Sequence, residues 1–122
     1  MTTDIDVLIV GAGPVGISAA MLLHKMGHSV RMIERREGPQ RAPAAHVINA
    51  RTFEVWRQIG VNVDHLRSLA QDPQAAGQVH WVTKLGGTVL GSLPYERQGD
   101  EMLAVTPTPL RNLAQHILEP VL

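Results

Sequence analysis

Apolar positions at the front of the chain form two short runs separated by a helical period. Ile5 to Val10, interrupted by Asp6, leads straight into Gly11-Ala12-Gly13-Pro14-Val15-Gly16, a pattern that predicts a strand ending in a tight turn. From about Val15 to Met26 a helix is expected, carrying the apolar residues Ile17, Ala20, Met21 and Leu23, and Gly27 supplies a stop. Ser29 to Ile33 is short enough for a second strand, with Glu34 at its carboxyl end. The Arg-, Pro- and Gly-rich stretch from Glu34 to Ala45 has neither period and reads as a loop.

Farther along, Asn49 offers an N-cap for a helix to about Ile59, with Gly60 as its stop, and Val63 to Leu69 forms a short amphipathic piece before Asp72-Pro73. The period then changes. Gln78 to Lys84 alternates, with Val79, Trp81 and Thr83 on one face, Gly86-Gly87 turns, and Thr88 to Leu93 makes a second strand. So short a connection joins antiparallel neighbours, so this hairpin starts a sheet separate from the parallel one. Met102 to Val105 is expected to add a strand, and Thr106-Pro107-Thr108-Pro109 to introduce a last helix from about Leu110, carrying Leu113, Ile117, Leu118 and Val121. A doubly wound sheet needs more parallel strands than the two before residue 40, so the chain reads as unfinished.

The glycine segment carries the chemistry. Gly11 permits the turn out of the strand, Gly13 lets backbone approach a pyrophosphate, and Gly16 allows close helix-to-strand packing. Pro14 suits the first helical turn, where Val15 follows, and the free N–H groups and positive dipole end there favour phosphate. Glu34 lies 18 residues beyond Gly16, close to the spacing of an acid that accepts hydrogen bonds from an adenosine ribose. Its charge would repel a 2′-phosphate, so the nucleotide expected here is FAD or NAD rather than NADP.

Composition adds mainly exclusions. Eleven basic and eleven acidic residues leave 122 residues with no net charge, and the four aromatics and lack of a long basic run point away from nucleic acid. There is no cysteine for a disulfide, a thiolate metal site or a nucleophile. The first apolar run is far too short for a membrane span and has acidic rather than basic flanks. A cytoplasmic protein is expected. His24 and His28 have a metal-ligand spacing, but Gly27 interrupts the helix between them and no third ligand is near, so no metal is expected.

Three segments together resemble the FAD-dependent aromatic hydroxylases of the phenol hydroxylase and para-hydroxybenzoate hydroxylase type: the glycine fingerprint, His46-Val47-Ile48-Asn49-Ala50-Arg51-Thr52-Phe53-Glu54 followed by Trp56-Arg57-Gln58-Ile59-Gly60, and Asn112 to Leu122. The resemblance implies an incomplete α/β, Rossmann-like βαβ FAD-binding fold of the GR2-type flavoprotein monooxygenases. Residues 1–72 would begin the FAD domain, 73–105 the antiparallel sheet of a substrate domain, and 106–122 would return to the FAD domain. It further implies that NAD(P)H reduces FAD, that the flavin traps O2 as a C4a-hydroperoxide, and that a hydroxyl passes to a small aromatic, phenol-like substrate. By the same resemblance Gly11, Gly13, Pro14, Val15 and Gly16 hold the FAD pyrophosphate, Glu34 the adenosine ribose, Arg35 the adenine side and Gln115 the ribityl chain. Arg51 is assigned a phosphate-facing or flavin-edge role, against an ordinary helix-start ion pair with Glu54. No catalytic side chain is expected in this segment, because the cofactor carries the chemistry. The segment alone is expected to be inactive, and a homodimer is entertained for the full-length form. Rivals are another FAD-dependent oxidoreductase, or a fragment acting as an interaction module without cofactor.

One position departs from the family pattern: Ala44 stands where an arginine usually precedes Ala-His, and Arg41 is the nearest basic substitute. Ala44→Arg in the full-length protein is therefore expected to tighten FAD binding, read by flavin titration. Unchanged affinity together with unchanged NADPH oxidation would remove that idea.

Overall fold

The computed structural model describes residues 4–42, 44–95 and 98–122, so Pro43 of the expected loop lies outside the described residues. The first unit is the expected strand–helix–strand. β1 (Val7–Val10) and β2 (Val30–Ile33) pair in parallel, Val7 opposite Val30 and Val10 opposite Ile33, and α1 (Pro14–Lys25) connects them. The entrance of β1 is clasped by a side chain: Asp6 accepts from the Ser29 N–H at 2.7 Å and from its hydroxyl at 2.9 Å. The exit needs Gly11, whose φ of 106° lies in the left-handed region, and the ladder runs one step further as the Gly11 N–H donates to Ile33 O.

The buried core lies elsewhere. β3 (Val47–Ile48), α2 (Ala50–Gln58) and α3 (Val63–Ser68) meet residues 113–122 around Ile48, Phe53, Trp56, Val63, Leu66, Leu113 and Leu118. Asn49 caps α2 by accepting from the Thr52 N–H at 2.8 Å, as its sequence position predicts. Trp56 meets Phe53 edge-on at 6.0 Å, and its indole N–H donates to Ser18 Oγ at 2.6 Å, tying α2 to α1. Helix α1 itself buries no residue fully. The total surface of 8483 Å² exceeds the roughly 6,500 Å² of a compact monomer of this mass. Part of that surface is apolar, including Leu8 and Val10 on β1.

The hairpin is present as β4 (Gln78–Val82) and β5 (Val89–Pro94), antiparallel, with an irregularity between Trp81 and Val82. Two expectations fail. Met102 to Val105 is not a strand; residues Asp100–Ala104 form a 3-10 turn, with Val105 N–H donating to Met102 O at 2.9 Å. With no strand paired to it among the described residues, the backbone satisfies itself locally. Nor does a helix begin at Leu110. Arg111–Asn112 is β6, antiparallel to β3, and α4 starts at Gln115 and ends at Leu118, followed by a 3-10 turn over Glu119–Val121. A proline at 107 and at 109 disfavours a helical residue before it, and the edge of β3 takes the strand that follows.

Candidate functional site

The turn from β1 into α1 ends in an uncapped helix N-terminus. Gly13 at the N-cap is extended (φ −76°, ψ 177°), no side chain caps the first turn, and Pro14 occupies the first helical positions without an N–H to satisfy. A Cβ on Gly16 would lie 2.0 Å from Gly11 O, which is why glycine is required there. Around Gly13 the nearest such contact is 3.9 Å away, at Glu119 Oε1, leaving the backbone open to a ligand. These features suit a pyrophosphate: free donors, a positive helix end and no Cβ in the way.

Glu34 lies against this turn. Its Oε2 accepts from the Ala12 N–H at 2.8 Å, keeping a lone pair for a hydroxyl, and its Oε1 accepts from the Arg36 N–H at 2.8 Å. The Arg36 and Ala12 N–H groups, helped by the Arg36 charge, hold the Glu34 carboxyl at about 2, down from an ordinary 4.5. Since the folded value is depressed, the stabilisation is fully present above 4.5 and is lost as pH falls toward 2. Acid unfolding between about pH 5 and pH 2 should therefore be shallower in Glu34→Gln than in the parent protein. Superimposable acid limbs would show that these hydrogen bonds do not form in solution.

Two clefts share the turn. One, of about 210 Å³, is bordered by Ala12, Glu34, Arg36, Gly38 and Glu119. The other, of about 580 Å³, is bordered by Pro14, Val15, Ser18, Asn49, Arg51 and Gln115, within the range of small-ligand sites. Tertiary pairing assembles the second: Leu113 N–H donates to His46 O at 2.7 Å and Gln115 N–H to Ala45 O at 2.9 Å, which carries Gln115 beside the helix entrance.

The glycine turn, Glu34 and Gln115 are thus brought together. Arg51 borders the larger cleft while its guanidinium, mostly exposed, lies 3.4 Å from Glu54, the ion pair given as the alternative to cofactor contact. Arg35 is exposed and borders neither cleft. The neighbouring Arg36 is the one that reaches carboxylates, 3.5 Å from Glu34 and 3.7 Å from Glu119.

Glu119 was not singled out by sequence reasoning. It is buried, accepting from Gln115 Nε2 at 2.6 Å and from the Gln40 N–H at 2.5 Å. Burial pushes its carboxyl up, but these two hydrogen bonds and Arg36 outweigh that, leaving it below the ordinary glutamate value. Its four-residue spacing from Gln115 was the available signal. Ser18, which donates to Pro14 O at 2.6 Å while accepting from Trp56, was also missed.

Comparison with known proteins agrees with this geometry. Residues 4–122 match the family model described as FAD binding domain, and the chain belongs to that family. It is 32% identical over 124 residues to 2,4-dichlorophenol 6-monooxygenase of Delftia acidovorans, covering 98% of this chain and 21% of that protein. It is 36% identical over 125 residues to the aklavinone 12-hydroxylase RdmE of Streptomyces purpurascens, covering 98% and 23%. Among solved structures, the flavin-dependent monooxygenase PieE in complex with FAD and substrate superposes with a TM-score of 0.82 at 31% identity, over 96% of this chain and 21% of that one. The resemblance to FAD-dependent aromatic hydroxylases is borne out, as is the α/β FAD-binding fold. The chain spans about a fifth of the length of these proteins.

Proposed function

We propose that the full-length protein is an FAD-dependent monooxygenase that hydroxylates a small aromatic, phenol-like substrate using O2 and electrons from NAD(P)H, and that this chain supplies its cofactor cradle. The observation that carries the proposal is the uncapped N-terminus of α1, opened by Gly11 and Gly13, with Glu34 on one side and Gln115 on the other.

When bound, the flavin supplies the oxygen chemistry, by the C4a-hydroperoxide route that the family resemblance implies. The chain's own residues bind and orient. Backbone N–H groups of Val15 and Gly16 face the pyrophosphate at the positive end of α1. Glu34 accepts from ribose hydroxyls, and the Gln115 amide both donates to and accepts from hydroxyls of the ribityl chain. Arg51, at the mouth of the larger cleft, offers a cation to phosphate or to the flavin edge in exchange for Glu54. Asn49, Val15 and Trp56 border the same cleft.

No helix among the described residues is long and apolar enough to cross a membrane. A cytoplasmic location and a homodimeric full-length form belong to the same proposal. The test is NAD(P)H oxidation by the FAD-loaded full-length protein, with and without a panel of phenols, and mass analysis of the product. Phenol-stimulated oxidation with one added oxygen in the product is expected. Flavin binding with oxidation indifferent to phenols would make the protein a different FAD-dependent oxidoreductase. No flavin bound would end the proposal.

A further inference from the structure

We propose that Glu119 is a positioning residue of the cofactor site: it sets the orientation of the Gln115 amide and fastens the loop after β2 beside the glycine turn, with Arg36 as its counter-charge. This rests on the FAD reading above.

A carboxylate in a buried position is costly unless donors converge on it. Here they come from separate segments. Gln115 Nε2 donates to Oε1 at 2.6 Å, the Gln40 N–H donates to Oε2 at 2.5 Å, and Arg36 Nη2 lies 3.7 Å from Oε1. The same Oε1 sits 3.9 Å from where a Cβ on Gly13 would be. Glu119 therefore touches two of the pieces from which the cradle is built, Gln115 and the loop after β2, and stands beside the glycine turn.

The hydrogen bond to Gln115 has a chemical consequence. An ionised carboxylate only accepts, so the amide must turn its NH2 toward Glu119, leaving its carbonyl oxygen free. Glu119 borders the smaller cleft and Gln115 the larger, so the pair spans the two. Remove the acceptor and the amide loses the reason to prefer one of its two orientations. Electrostatics sets the role of Arg36. Two carboxylates, Glu34 and Glu119, lie beside a position meant for phosphate, and an unbalanced pair of negative charges would repel it. The Arg36 guanidinium lies within 4 Å of both.

The experiment is FAD titration of the full-length apoprotein, with melting curves before and after FAD, for E119Q, Q115A, the E119Q/Q115A double variant and R36Q. E119Q is expected to weaken FAD about tenfold, the worth of a lost charge-assisted hydrogen bond. The double variant should lose less than the sum of the two single losses, because part of the Glu119 effect passes through Gln115. A residue that merely stabilises the fold would give additive losses. R36Q should also weaken FAD. FAD affinity of E119Q within twofold of the parent, or strictly additive losses, would overturn the inference. If E119Q does not fold, E119D, which keeps the charge and shortens the reach to Gln115, decides: weakened FAD supports the inference, and parental affinity overturns it. Failure of the parent protein itself to bind FAD would count against the proposed function instead.

Discussion

Gly16→Ala is expected to cost the full-length protein both its FAD and a substantial part of its stability. The added Cβ would fall 2.0 Å from Gly11 O and 3.1 Å from Gly11 C, with Ile9 Cγ2 at 3.4 Å. The first two are backbone atoms of the turn, so no side-chain rotation can make room, and α1 must lift away from β1. Overpacking against a fixed neighbour costs about 3 kcal/mol. The cradle would distort with it, because Gly11, Gly13 and the first turn of α1 are one continuous piece. Thermal unfolding of the apoprotein and flavin retained after desalting measure the two losses. Gly13→Ala is the informative contrast. Its φ of −76° suits alanine, and the nearest contact is 3.9 Å away, so the apoprotein should melt within about 0.5 kcal/mol of the parent. It should still lose flavin, since the methyl group occupies the approach to the pyrophosphate. Equal behaviour of the two variants would contradict this division between packing and binding.

Phe53→Ala is expected to be the most destabilising change in the core, by about 3–5 kcal/mol. The ring is fully buried, edge-on to Trp56, with the Arg67 guanidinium 5.6 Å from its centre. Its loss would leave a void at the centre of the cluster formed by β3, α2, α3 and residues 113–122. That cluster must support the rest, because α1 buries no residue fully and β1 and β2 expose much of their apolar surface. A loss of this size is a large fraction of the total stability of an ordinary domain. The damage should reach the site as well, since Trp56 on the same helix holds Ser18 of α1. Urea unfolding of the full-length protein measures the change. A loss below about 1 kcal/mol would mean that Phe53 is not the centre of the core.

The second prediction depends on an arrangement that periodicity does not reveal. Phe53, Val55, Trp56 and Ile59 read as the apolar positions of a helix, but nothing local states that this helix closes on Leu113 and Leu118, more than fifty residues later. The glycine turn was readable because its causes are local. A φ of 106° at Gly11, the missing Cβ at Gly16 and the fixed φ of Pro14 are properties of single residues in sequence. Helix α2 was readable for the same reason, from the Asn49 cap to the Gly60 stop. The misreadings at Met102–Val105 and at Leu110–Ala114 have the opposite origin. A short apolar segment becomes a strand only if an edge lies beside it, and β3 offered one to Arg111–Asn112.

The same division runs through the site. By itself the sequence determined the glycine turn and the acid Glu34 at the end of β2, since each follows from residue type and short spacing, whereas Gln115 was marked only by the family resemblance. Only the tertiary structure decided that β6 lies along β3, and so that Gln115 stands at the entrance of α1. It also decided that Arg36, rather than Arg35, reaches the two carboxylates, and that Glu119 is buried where Gln40, Gln115 and Arg36 converge. Those features join residues up to 83 positions apart in the chain, and such contacts are selected by the free energy of the whole packed arrangement rather than by any local preference.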